Sequence, residues 1–214
     1  LNDFKVESPG AWVPDRVETL INPTGRNAAI ITAQLTNRVK QFNGENSRAR
    51  LALRREAGVL AVTAEGRMAD AGAPELGQNA VVDLVMFLQD LSNICPSTAV
   101  WIATFLAENV AYEKTGRGLG IARKDTLGVG TSVCLKELQA TGDTAYATLI
   151  VRHPGLMTTD EVMKEVRERL DVFNGRYHAG INAWVARDVP ARAAAADAPT
   201  GAAESSAGFA GPDA

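Results

Sequence analysis

The run Arg48-Ala49-Arg50-Leu51-Ala52-Leu53-Arg54 changes chemical character at almost every step. In an extended chain successive side chains point to opposite sides, so Arg48, Arg50 and Arg54 share one face and Leu51 and Leu53 the other. A strand with one wet side and one dry side belongs to an antiparallel sheet packed on a single face. The dry side then needs a cover, and two stretches have the helical period to supply it. One opens at Thr158-Thr159-Asp160-Glu161 and gathers Val162, Met163, Val166, Leu170 and Phe173 on one stripe, with Lys164, Glu165, Arg167 and Glu168 opposite. The other starts near Cys95-Pro96-Ser97, with Ser97 or Thr98 at its cap. It runs to Tyr112, places Trp101, Ile102, Phe105 and Leu106 together, and stops at Gly116, Gly118 and Gly120. The expected class is α+β: an antiparallel sheet with amphipathic helices on one face.

Around these anchors the chain reads as follows. Phe4-Lys5-Val6 and the stretch Arg16 to Ile21 flank Pro9-Gly10 and Pro14-Asp15, which predicts an N-terminal hairpin. Asn22-Pro23-Thr24-Gly25 is a turn, residues 28–35 are a third strand or a short helix, and Asn43-Gly44-Glu45-Asn46 is a turn again. Residues 59–64 resume as a strand, 69–78 as a loop, and the apolar 79–89 as a long strand. Further strands are expected over 119–124, 132–139 and 145–152. Two strand-strand-strand-helix units result, a coarse internal repeat. Residues 1–116 form the first unit with the hairpin, 117–188 the second, and 189–214 an Ala-, Gly- and Ser-rich tail that cannot build its own core.

Candidate chemistry is sparse. The 214 residues carry a net charge of only -3, so a nucleic-acid surface would have to be local. Up to Met68 basic residues outnumber acidic ones ten to seven. The cysteines, Cys95 and Cys134, lack metal-ligand spacing, as do His153 and His178, so no metal and no cofactor are expected. Cys134 sits in an apolar alternating strand and reads as core rather than nucleophile. Asp160 and Glu161 suit the first turn of a helix without any catalytic role. The glycines of "TGRGLGIARKDTLGVGTS", Thr115 to Ser132, leave a helix instead of leading into one, and no phosphate-loop spacing occurs. The apolar runs are too short to span a bilayer, and Leu1-Asn2-Asp3-Phe4-Lys5 lacks the build of a leader; a soluble protein without a membrane partner is expected. No active site emerges, so no enzyme is expected. The arginine strip Arg48, Arg50, Arg54, extended by Thr63 and Arg67 on the neighbouring strand, is either a solvated face or a phosphate-binding one.

The stretch "ETLINPTGRNAAIITAQL", Glu18 to Leu35, resembles a segment of the coat proteins of single-stranded RNA bacteriophages, where an N-terminal hairpin ends in a Thr-Leu, Asn-Pro, Gly pattern before the main sheet. "TAYATLIVRHPGLMTTDEVMKEVRERL", Thr144 to Leu170, is similar to that family's last strand and helix. The resemblance implies a capsid subunit that self-associates into dimers and then a shell, assembled in the host cytoplasm and found in the virion. It further implies a sheet face lined by RNA, here through Arg48, Arg50, Arg54, Thr63 and Arg67. Helix packing, within one chain or across a dimer, would use Trp101, Phe105, Leu106, Val166, Leu170 and Phe173. The alternative is a non-viral oligomeric scaffold or binding protein, also without enzymatic activity.

Overall fold

The computed structural model describes residues 3–6, 12–21, 28–45, 50–56, 59–70, 76–91, 98–141, 144–153, 157–189 and 203–210. The protein is α+β. The expected hairpin is present: β1 (Asp3–Val6) pairs antiparallel with β3 (Arg16–Ile21), from Asp3 opposite Leu20 to Val6 opposite Val17. Between them β2 (Trp12–Val13) leaves to pair with β6 (Ala69–Asp70) in a separate two-stranded ribbon. The remaining elements are α1 (Ala28–Glu45), β4 (Arg50–Glu56), β5 (Val59–Glu65), α2 (Ala80–Asp90), α3 (Thr98–Asn109), β7 (Ser132–Thr141), β8 (Thr144–His153), α4 (Thr159–Tyr177), β9 (Asn182–Val189) and β10 (Ala203–Ala210). Eight strands make one sheet in the order β4-β5-β3-β1-β7-β8-β10-β9, antiparallel throughout.

That order contains the same topology twice. In β1-β3-β5-β4 and in β7-β8-β10-β9, two strands form a hairpin, a helix carries the chain past one empty slot, and the last strand returns to fill it. The strands flanking the slot, β3 and β4 or β8 and β9, run parallel to each other, so a hairpin turn cannot join them and a crossover helix must. Here the crossovers are α1 and α4. The first strands of the two halves, β1 and β7, pair antiparallel and make the sheet continuous.

The helices carry the imprint of the same duplication. In α1 the buried residues are Leu35, Val39 and Phe42; in α4 the series ends Val166, Leu170 and Phe173, with the same spacing. Each phenylalanine opens the tripeptide Phe-Asn-Gly, at 42–44 and at 173–175. Each asparagine then clamps the start of the next strand with its amide. Asn43 Nδ2 donates to Leu51 O at 2.8 Å while Leu51 N donates to Asn43 Oδ1 at 2.9 Å. Asn174 does the same to Ile181, at 2.7 and 2.9 Å. A side-chain amide presents one donor and one acceptor side by side, so it can stand in for a neighbouring strand.

Several expectations need correction. Residues 79–89 are not a strand: they form α2 with Asn79 as its cap. Ala80 to Val85 and then Phe87 and Leu88 are all buried, so the helix has no polar stripe to reveal its period. Residues 28–35 belong to an 18-residue helix that also absorbs Asn43, Gly44 and Glu45, read as a turn. Residues 119–124 are not a strand: 119–120 are a turn and 121–123 irregular, with only an isolated bridge from Lys124 to Gly130, because Gly116 and Gly120 hold φ near +78° and +79° and coil the chain back. Ile121 N closes on Gly116 O at 3.0 Å, burying Leu119 and Ile121 one by one. Residues 203–210, read as tail, form β10 and fill the slot between β8 and β9. Strand pairing is made by the backbone, so a segment with a single large apolar residue, Phe209, can still enter a sheet. The repeat is real but its unit is strand-strand-helix-strand-strand. The turn at 22–25 lies outside the described residues.

One apolar core joins the dry face of the sheet to the helices: Val17, Leu60, Val62, Leu135, Leu149 and Val151 from the strands meet Leu35, Leu84, Phe87, Phe105, Val166 and Phe173 from the helices. On the other face, a small second cluster of Val13, Cys134 and Ile150 lies where the β2–β6 ribbon covers the start of β7.

Candidate functional site

Strand register decides which side chains share the helix-free face of the sheet. Across β3, β5 and β4, Arg16, Glu65 and Arg50 form one row and Glu18, Thr63 and Ala52 the next, followed by Leu20, Ala61 and Arg54. Arg50 and Arg54 are therefore exposed on the expected strip. It is not purely cationic. Arg54 Nη2 lies 2.8 Å from Glu18 Oε2, and Thr63, although on the right face, is buried and donates to the same oxygen at 3.0 Å. Arg67 is elsewhere, after the end of β5, and Arg48 lies outside the described residues.

In the second half the same face carries exposed aromatic rings. Tyr146 stands opposite Gln139, and its hydroxyl donates to Gln139 Oε1 at 2.5 Å. Thr148 and Trp184 are both partners of Gly208, one on each side of β10, so Trp184 faces the same way. Tyr146 and Trp184 keep 39% and 41% of their surface exposed, unusual for aromatic rings. Arg152, opposite Ser132, lies on the same face but is only half-exposed. These residues escaped sequence reasoning because only the register through β10 puts Trp184 on the same face as Tyr146 and Thr148, one strand apart.

The six residues expected to pack helices do so inside this one chain. Phe105 meets Phe173 edge-on at 5.4 Å between ring centroids, Phe173 meets Tyr177 at 4.6 Å, and Trp101 meets Tyr177 at 5.5 Å. Leu106, Val166 and Leu170 are buried around them. Tyr177 closes the seam by donating from its hydroxyl to Glu108 Oε1 at 2.9 Å.

A second place with organised polar groups is a cavity of about 330 Å³ at the α2 N-terminus. Asn79 builds its rear wall: Oδ1 accepts from Val81 N at 2.9 Å and from Val82 N at 3.4 Å, and Nδ2 donates to Leu135 O at 2.6 Å. One turn on, Asp83 is buried, with Gln78 Nε2 donating to Oδ2 at 3.1 Å and the Tyr112 hydroxyl to Oδ1 at 3.4 Å. Arg67 and Lys114 complete the lining. Burial pushes the Asp83 carboxyl above its ordinary value, and the two hydrogen bonds pull it part of the way back.

That shift has a sign that can be measured. Folded Asp83 holds its proton to higher pH than in the unfolded chain, so stability present below the unfolded value near 3.8 is lost as pH rises through the folded value. Asp83→Asn cannot ionise. Its melting temperature should gain on that of the native protein as pH rises through this window and then run parallel to it. Thermal melts of both proteins from about pH 3 to pH 8 check this, and curves parallel throughout would contradict it.

Burial pushes the Cys134 thiol up to about 11, so it stays protonated near neutral pH and is a poor nucleophile. Cys95 lies outside the described residues. His153 is buried at the end of β8, and His178 is the left-handed cap of α4, φ 53°, with its N–H donating to Asn174 O. Asp160 and Glu161 occupy the first turn of α4, where Glu161 completes a capping box with Thr158. Among the described residues no three His, Cys, Asp or Glu side chains converge as metal ligands, and no helix is long and apolar enough to cross a membrane.

The chain matches no protein-family model and no curated relative.

Proposed function

We propose that the protein is a structural subunit of coat-protein type, without enzymatic activity, that associates with copies of itself and turns the helix-free face of its sheet toward RNA. The observation that carries this reading is the composition of that face. Arg16, Arg50, Arg54 and Arg152 share it with the exposed rings of Tyr146 and Trp184. Guanidinium groups engage phosphates whatever the sequence, and exposed rings stack on unpaired bases, so together they suit single-stranded RNA better than duplex. Glu18, Glu65 and Glu137 moderate the attraction, which favours many weak contacts summed over a shell. The duplicated topology adds support: one chain already supplies the continuous sheet, helices on one face, that the resemblance implies for a dimer.

The direct test is the size and ultraviolet absorbance of the purified protein. Particles visible by electron microscopy whose absorbance is dominated by nucleic acid, and which lose it in Arg50→Ala/Arg54→Ala, are expected. Small assemblies free of nucleic acid would overturn the reading.

The second reading, an oligomeric scaffold or binding protein unrelated to viruses, is favoured by the aromatic seam. Trp101, Phe105 and Phe173, expected to pack within one chain or across a dimer, pack within one chain, so this seam is not left open for a second copy.

A further inference from the structure

The duplicated topology sets the two halves of the chain position against position. Asn43 clamps Leu51 and Asn174 clamps Ile181, so residues counted from each clamp correspond. Arg54 stands three past Leu51, and Trp184 three past Ile181. Carried across the sheet, the row Leu20, Ala61, Arg54 matches Thr148, Gly208, Trp184, and the row Glu18, Thr63, Ala52 matches Tyr146, Ala210, Asn182. Glu18 and Tyr146 are therefore counterparts, as are Arg54 and Trp184.

In the first half this diagonal is closed. Arg54 reaches across β5 to Glu18 at 2.8 Å, and Thr63 between them donates to the same carboxylate oxygen. Side chains at the two positions can thus converge, although two strand spacings, about 10 Å, separate β3 from β4. In the second half the diagonal is open. Two neutral, half-exposed rings replace the ion pair, and among the described residues no ring contact joins them. The register puts only Ala210 and Gly208 on the strand between them. Tyr146 is anchored from the other side, its hydroxyl tied to Gln139 on β7. A gap walled by two rings suits a flat ring, and every base has a face to stack. The phosphates of the same strand are served by Arg16 and Arg50, exposed in one row of the first half.

We infer that this slot takes one unpaired base of the RNA strand, stacked on Trp184 and bordered by Tyr146, so that the second half of the chain holds a base while the first half holds phosphates. The inference rests on the RNA reading of the sheet face and adds to it a site and a division of labour.

Fluorescence anisotropy with two labelled oligomers of equal length tests it: a single-stranded RNA, and its abasic counterpart that keeps the phosphates and lacks the bases. The native protein should bind the RNA about tenfold or more tighter than the abasic oligomer, the scale of one stacked base. Trp184→Leu keeps apolar bulk without a ring face; it should lose most of that preference and leave affinity for the abasic oligomer unchanged. Tyr146→Leu should lose part of the preference, and Tyr146→Phe, which keeps the ring, should retain most of it. Arg16→Ala/Arg50→Ala should weaken both oligomers alike. Circular dichroism melts establish that each variant is folded. Equal binding of the two oligomers by the native protein, or a full preference surviving in folded Trp184→Leu, would overturn the slot while leaving the arginine contacts to RNA standing. Failure of the native protein to bind either oligomer would overturn the RNA reading, and the slot with it.

Discussion

Replacing Phe105 with alanine should lower stability by about 3–5 kcal/mol, the range for emptying a fully buried aromatic site. Phe105 has no exposed surface and lies edge-on against Phe173, so the change opens a void and breaks the packing between α3 and α4. A ring pair of this geometry contributes roughly 0.5–1.5 kcal/mol beyond its buried area. In a chain of this length the melting temperature should fall by roughly 10 °C. Val172→Ala, on the same helix α4 but 61% exposed, is the control and should change stability by no more than about 0.5 kcal/mol. Denaturant unfolding of both variants measures the contrast. Equal, small effects would mean that α3 and α4 are not packed in solution as described.

Asn79→Ala should cost about 2–4 kcal/mol, more than an ordinary helix cap, for which about 1 kcal/mol is typical. The excess comes from the second function of the same side chain. Its oxygen caps α2 while its nitrogen reaches Leu135 O on β7, and alanine leaves that buried carbonyl and two helix N–H groups without this partner. Asn79→Asp separates the two roles. It keeps the cap acceptor but removes the donor, and it brings a carboxylate against a carbonyl. Asn79→Asp should therefore be at least as damaging as Asn79→Ala near neutral pH and should recover as the acid is protonated. An Asn79→Asp protein as stable as the native one would show that only the cap matters.

Elements that keep one wet side were legible in the residues. The α4 stripe and its opening near Thr158, the alternation of β4, and the N-terminal hairpin all follow from side chains sorted between water and core. Elements buried or bare on every side were not. Residues Ala80 to Leu88 are apolar around the whole helix, so the 3.6-residue period that would separate α2 from a strand is erased. β10 is a different case: AESSAGFA holds one large apolar residue and no alternation that marks a strand, and its place is known from its backbone pairing. The duplicated Phe-Asn-Gly was present in the chain, but three residues at such separation gain meaning only when both asparagines clamp a strand. The arginine strip was half legible: Arg50 and Arg54 are where alternation puts them, whereas Arg67 lies beyond the strand and Thr63 is sealed by its neighbours. The Asp83 cavity gave no signal, since Arg67, Gln78, Asp83, Tyr112 and Lys114 come from separate elements that only the fold brings together.

What the protein does rests on whether the helix-free face touches RNA. Fluorescence anisotropy of a labelled single-stranded RNA, titrated with the native protein and with Arg50→Ala/Arg54→Ala and Trp184→Ala variants between about 50 mM and 200 mM salt, addresses it most directly. The native protein should bind with an affinity that falls steeply with salt. The double arginine variant should flatten that slope by about 1 for each phosphate it no longer neutralises, and Trp184→Ala should weaken binding at every salt concentration by a similar factor. No binding by the native protein, or binding unchanged in both variants, would contradict the account.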